Sequence, residues 1–118
     1  MKFYGKELIL DLSSCDISTF NRKHLSRYFI EITKLVDMQL AEGPYFWEDH
    51  EIQEPHLQGI SAFHFIETSN IVVHTLTLLK KVFINLFTCK DFEPYLATEF
   101  TKDFFKGKVD KIHIIIRG

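Results

Sequence analysis

Apolar and polar residues follow two rhythms along this chain, one of period two and one of three and four, and together they predict its elements. Residues 6–12 place Leu8, Ile9, Leu10 and Leu12 around Asp11 and read as a strand. A polar turn, Ser13 to Asp16, leads to a predicted helix over residues 18–40. Its apolar positions are Leu25, Tyr28, Phe29, Ile32, Leu35, Val36 and Leu40, with Asp16 or Ser18 as cap and Glu42, Gly43 and Pro44 as stop. Residues 45–52 form a less regular strand, and Pro55 and Gly59 mark a loop over 54–59. Three strands rich in β-branched and aromatic residues follow, at 60–67, 70–76 and 82–88. The first two are joined almost without a loop at Thr68 and Ser69. A second helix over 92–105 is predicted to present Phe92, Leu96, Phe100 and Phe104 on one face, with Pro94 in its first turn and Gly107 after its end. A strand over 109–116 closes the chain.

The order is βα, a run of strands, then αβ. It predicts an α+β two-layer sandwich: one antiparallel-rich sheet with two helices on one face. If the other face is apolar it needs a partner, which points to a homo-oligomer. With 118 residues the chain fits a single domain, 1–118, with a core of useful size. A 46% hydrophobic and 25% charged composition is that of a soluble globular protein. The formal net charge of -2 gives no electrostatic case for nucleic acid or an anionic membrane surface. No apolar run approaches the roughly 18 residues that span a bilayer. Cys15 and Cys89 are two cysteines without a secretory signal, so a cytoplasmic protein with reduced thiols is expected.

The candidate chemistry lies in Gly59-Ile60-Ser61, Thr68-Ser69-Asn70, His74-Thr75 and Phe87-Thr88-Cys89. Taken singly, each is bland: a strand serine is usually only hydrogen-bonded, a histidine in an apolar strand usually a core residue, and a strand-end cysteine usually a small hydrophobe. His50, His56, His64 and His74 lack the spacing of a metal motif, so no metal is expected. Glu48, Asp49, Glu51 and Glu54 read either as a solvated edge or as an attractor for a cationic substrate.

In combination these segments resemble the small S-adenosylmethionine decarboxylases of bacteria and archaea. Serine to histidine is five residues (Ser69 to His74), histidine to cysteine fifteen (His74 to Cys89), and Ser61 precedes Ser69 by eight. The opening Gly5 to Leu8 and the Cys15-Asp16 turn also resemble that family, so the likeness runs over nearly the whole chain.

The resemblance implies a protein that cuts itself between Thr68 and Ser69 into a β chain of residues 1–68 and an α chain of 69–118. It implies a pyruvoyl cofactor derived from Ser69 that binds the substrate amine as a Schiff base, with Ser61 and His74 assisting processing. Cys89 is implied as the proton donor, and decarboxylation of S-adenosylmethionine for spermidine synthesis as the activity. Three departures bear on this. Thr68 stands where the family has glutamate, and Asn70 where it has histidine. Leu76-Thr77-Leu78 replaces a W-P-E segment whose glutamate is associated with ribose binding. Pro55, beside His56, replaces an aromatic that stacks on adenine; Phe3, Tyr4, Phe46 and Trp47 are candidate substitutes. Two other readings stand beside the first: a pyruvoyl-dependent arginine or ornithine decarboxylase, and an unprocessed binding or regulatory paralogue.

Overall fold

The strands pair in the order β2-β3-β4-β5-β1-β6, every neighbour antiparallel. They are β1 (Gly5–Ser13), β2 (Tyr45–Asp49), β3 (Gly59–Ile66), β4 (Ser69–Leu76), β5 (Lys81–Thr88) and β6 (Lys108–Arg117). The helices α1 (Arg22–Leu35) and α2 (Pro94–Phe105) make the two long crossovers, β1 to β2 and β5 to β6, and lie on one face of the sheet. This computed structural model describes residues 4–49 and 54–118, without the side chain of Asp49. Phe3, His50 and Glu51 therefore lie outside the described residues, as does the end of the strand predicted over 45–52. The α+β sandwich expected from the pattern is the fold observed.

Alternation along each strand builds the core. Leu8, Leu10 and Leu12 of β1 and Val82, Ile84 and Leu86 of β5 point under the helices and are fully buried. Leu25, Tyr28, Phe29 and Ile32 of α1 meet them from above. Burying each such side chain contributes roughly 1.5–3 kcal/mol. The helices are joined through Tyr28, whose ring lies 5.1 Å from that of Phe105 and whose hydroxyl bonds the Thr101 hydroxyl at 2.8 Å.

Both helices differ in detail from expectation. The helix predicted over 18–40 is shorter at each end. Asp16 caps a separate 3-10 turn, Ile17–Thr19, and Asn21 caps α1 by accepting the His24 N–H. At the other end Asp37 turns left-handed, with φ 57°, and the chain after it runs extended along the edge of β3. There Ala41 N–H meets the Phe65 carbonyl and Glu67 N–H the Gln39 carbonyl. In α2 the buried face is Pro94, Ala97, Thr98, Thr101 and Phe105, whereas Leu96 is 50% exposed. Thr98 and Thr101 each donate to the carbonyl four residues back, which satisfies their hydroxyls and lets them pack as small apolar residues.

Candidate functional site

The face of the sheet away from the helices carries one half of the predicted constellation. Ser61 of β3 and His74 of β4 are direct cross-strand partners, and Ser61 Oγ lies 2.8 Å from His74 Nδ1. Their register depends on Gly59. A Cβ there would come within 1.8 Å of the Thr75 carbonyl oxygen, so only glycine lets β3 and β4 close this tightly beside the pair. Next to them opens a cleft of about 420 Å³ lined by Tyr45, Trp47, Phe63 and Val72 together with Ser61 and His74. Tyr45 stacks on Phe63 with ring centroids 4.9 Å apart, and Trp47 is 69% exposed. Of the aromatics singled out in the sequence, Trp47 reaches this face as the partner of Ser61, whereas Phe46 is paired with Ala62 and carries the Arg22 guanidinium 5.2 Å over its ring. Tyr4 is exposed beyond β1. Aromatics at alternate positions, Tyr45 with Trp47 and Phe63 with Phe65, were the sequence signal for this patch.

The other half lies at the opposite end of β4. A two-residue connection, Glu67-Thr68, links β3 to β4, with Ile66 and Ser69 paired across it. Thr68 is left-handed, φ 56°, a strained conformation for a β-branched residue. Ser69 is buried, and its hydroxyl accepts the Cys89 N–H at 3.0 Å. Thr68 Oγ lies 2.6 Å from Cys89 Sγ. Hydrogen bonds from Thr68, then Ser69, hold the Cys89 thiol below its ordinary value. A cleft of about 330 Å³ opens here between Glu67, Thr68 and Cys89 on one side and Asp37 to Gln39 on the other. Lys90 bridges it to Asp37 at 2.5 Å and holds the Asp37 carboxyl below the usual range. Lys90, Asp37 and Glu67 were not singled out in the sequence; charged loop residues carry no periodic signal.

The two halves are apart within one chain. Ser69 and His74 are separated by five strand residues, about 16 Å at ~3.3 Å per residue. The odd spacing also puts their side chains on opposite faces of the sheet. Ser69 thus has Cys89 and Thr68 beside it and has neither Ser61 nor His74.

Elsewhere, the acidic stretch is partly engaged. Glu48 is paired with Arg22 at 2.8 Å, and Glu54 is exposed. Pro55 and His56 form an exposed 3-10 turn with Leu57. Among the described residues no three His, Cys, Asp or Glu side chains are grouped to hold a metal ion, and no helix is long and apolar enough to cross a membrane.

Comparison with known proteins adds an independent line. The sequence model described as S-adenosylmethionine decarboxylase matches residues 6–118. A protein of Clostridium botulinum strain Hall named S-adenosylmethionine decarboxylase proenzyme is 30% identical over 119 residues, which cover 100% of this chain and 97% of that protein. A proenzyme of the same name from strain Langeland is 29% identical over the same coverage. Among solved structures, the adenosylmethionine decarboxylase from Aquifex aeolicus VF5 superposes with a TM-score of 0.80 over 100% of this chain and 93% of its own, at 16% identity, a likeness of fold.

Proposed function

The chain belongs to the S-adenosylmethionine decarboxylase family, and from that footing we propose that it is a self-cleaving carboxy-lyase of polyamine synthesis. It acts on S-adenosylmethionine in the cytoplasm and is cut between Thr68 and Ser69. The observation that carries the cleavage site is the hairpin itself: a serine held at the start of a strand, directly after a residue in a strained left-handed conformation.

The chemistry balances on the chain's own atoms. Ser69 Oγ attacks the Thr68 carbonyl carbon, and the peptide nitrogen leaves, so the amide becomes an ester. Removal of the Ser69 α-proton then expels the Thr68 carboxylate from Cβ. The chain parts into residues 1–68 and 69–118, and the dehydroalanine at 69 takes up water and releases ammonia to give a pyruvoyl group. The residues present fit that group: the Ser69 oxygen already receives the Cys89 N–H, and the Cys89 thiol stands beside Thr68. Once formed, the group supplies an electron sink for loss of carbon dioxide. Cys89 returns a proton at the substrate α-carbon, a task suited to a thiol whose pKa is drawn down.

Ser61 and His74 serve as hydrogen-bond donor and proton acceptor in processing, and they do so across a homodimer. Tyr45, Trp47, Phe63 and Phe65 leave an exposed aromatic patch on the open face, which a second copy covers. A two-fold axis through that face lays the Gly59 end of one sheet over the Thr68 end of the other. The Ser61–His74 pair of one copy thereby reaches the Thr68–Ser69 backbone at its partner's turn, where the Thr68 carbonyl and the Ser69 α-proton react, while the Ser69 side chain faces the helices. The aromatic cleft beside the pair takes the planar base of the substrate by stacking.

Intact-mass measurement of the denatured protein tests the proposal. Two fragments parting at Thr68/Ser69, the second with a borohydride-reducible blocked N-terminus, are expected, together with release of carbon dioxide from S-adenosylmethionine and none from arginine or ornithine. A single uncut mass after prolonged incubation refutes it and leaves a non-catalytic binding protein.

A further inference from the structure

The family pattern has glutamate where this chain has Thr68, yet the Thr68 hydroxyl is in direct contact with Cys89 at the cleft, 2.6 Å from its sulfur. Resting on the reading of Cys89 as proton donor, we propose that Thr68 is its positioning residue, whose hydroxyl holds the Cys89 sulfur at the cleft and donates to it once the thiol has given up its proton.

The geometry allows both states. A threonine hydroxyl has one proton to give and two lone pairs to receive. Thr68 Oγ lies 2.6 Å from Cys89 Sγ and 2.7 Å from the Glu67 carbonyl oxygen. With the thiol protonated, Sγ–H donates to Oγ and the hydroxyl donates to the Glu67 carbonyl. With the thiol ionised, the hydroxyl turns and donates to sulfur. In the uncut chain the proton can therefore leave and return without stranding a partner. The hydrogen bond with Thr68 is the first cause that holds the Cys89 thiol below its ordinary pKa.

The charged groups facing Cys89 do not replace this contact. Lys90 is committed to Asp37, and Glu67 and Asp37 are carboxylates whose charge opposes a thiolate. The backbone supplies an independent reason to assign Thr68 a task. A left-handed second position in a two-residue hairpin is ordinarily filled by glycine or asparagine. A β-branched residue there is strained, so its presence points to the side chain it delivers.

The test uses the uncut Ser69→Ala protein, so that it does not depend on cleavage. Labelling of Cys89 by iodoacetamide is followed against pH by peptide mass mapping, in three further variants. Thr68→Val keeps the β-branched shape and removes the hydroxyl; Thr68→Gly removes the hydroxyl and relieves the backbone; Thr68→Ser keeps the hydroxyl. The expected result is a midpoint raised by about one pH unit, roughly tenfold less thiolate near neutrality, in both Val and Gly, with Ser unchanged. Unchanged midpoints in Val and Gly overturn the proposal. So does a shift in Val alone, which assigns the effect to the backbone, or an equal shift in Ser, which assigns it to the threonine methyl. A chain that never cuts itself but shows the expected labelling pattern refutes the decarboxylase reading and leaves the Thr68–Cys89 coupling standing.

Discussion

If Ser61 and His74 act on Ser69 of a second copy, a chain lacking His74 is rescued by a chain lacking Ser69. The distance makes this a sharp prediction. General-base catalysis needs the acceptor within about 3 Å of the proton it removes, or one water away. Within one chain, His74 is about 16 Å along β4 from Ser69 and on the other face of the sheet. Closing that gap in the same chain means stripping β4 from both β3 and β5, its hydrogen-bonded neighbours. The assay co-expresses a Ser69→Ala chain with one tag and a His74→Ala chain with another. Alone, the first is never cut, and the second is cut at a rate lowered by about 10²–10⁴, the usual worth of a positioned base. Together, random pairing puts about half of the His74→Ala chains opposite a partner that keeps His74, and that half yields the fragments 1–68 and 69–118. The Ser69→Ala chain stays whole, and tag-based co-purification verifies that mixed dimers have formed. Mixed dimers without fragments, or a His74→Ala chain that cuts itself alone at the parental rate, refute the arrangement.

Other predictions rest on separate observations. Trp47 is the chain's single tryptophan and lines the aromatic cleft, so S-adenosylmethionine added to the Ser69→Ala protein is expected to quench or shift its fluorescence while arginine and ornithine leave it unchanged; an unresponsive spectrum at saturation removes the base from this cleft. Gly59→Ala drives a methyl into the Thr75 carbonyl, and urea denaturation is expected to show a loss of about 3 kcal/mol with the Ser61–His74 pair displaced; a loss within error of zero contradicts the packing described. The two cysteines are expected to separate by reactivity: burial, then Asp110, pushes Cys15 up to about 11, whereas Cys89 is lowered. A lowered pKa means more thiolate at any given pH, so iodoacetamide near pH 8 labels Cys89 and spares Cys15, and equal labelling in peptide maps counts against both assignments.

How far these features were legible in the sequence depends on which physical rule each obeys. The strands were readable because Val82, Ile84, Leu86 and Thr88 alternate without a break, and alternation is what a sheet covered on one face requires. The end of α1 was not, because Val36 and Leu40 continue the helical spacing past the point where Asp37 turns left-handed, and nothing in an aspartate announces that turn. The buried face of α2 was read only in part: Phe92, Phe100 and Phe104 do pack on the core, but Thr98 and Thr101 spend their hydroxyls on the preceding turn and pack as though apolar, while Leu96 is exposed. The site poses a subtler case. Spacings of five and fifteen residues singled out Ser69, His74 and Cys89 as candidates, but spacing along a chain is not proximity. The pairing of Ser61 with His74, and of Thr68 with Cys89, depends on strand register across a sheet whose order no local pattern contains. Yet one clue was there: the step from Ser69 to His74 is odd, and an odd step within a strand reverses the face. On the dimer reading proposed above, the Ser69 backbone, about 16 Å along the strand from the His74 of its own chain, is attended by the histidine of another sheet. The exposed aromatic patch beside His74 is the surface on which that reading docks the second sheet.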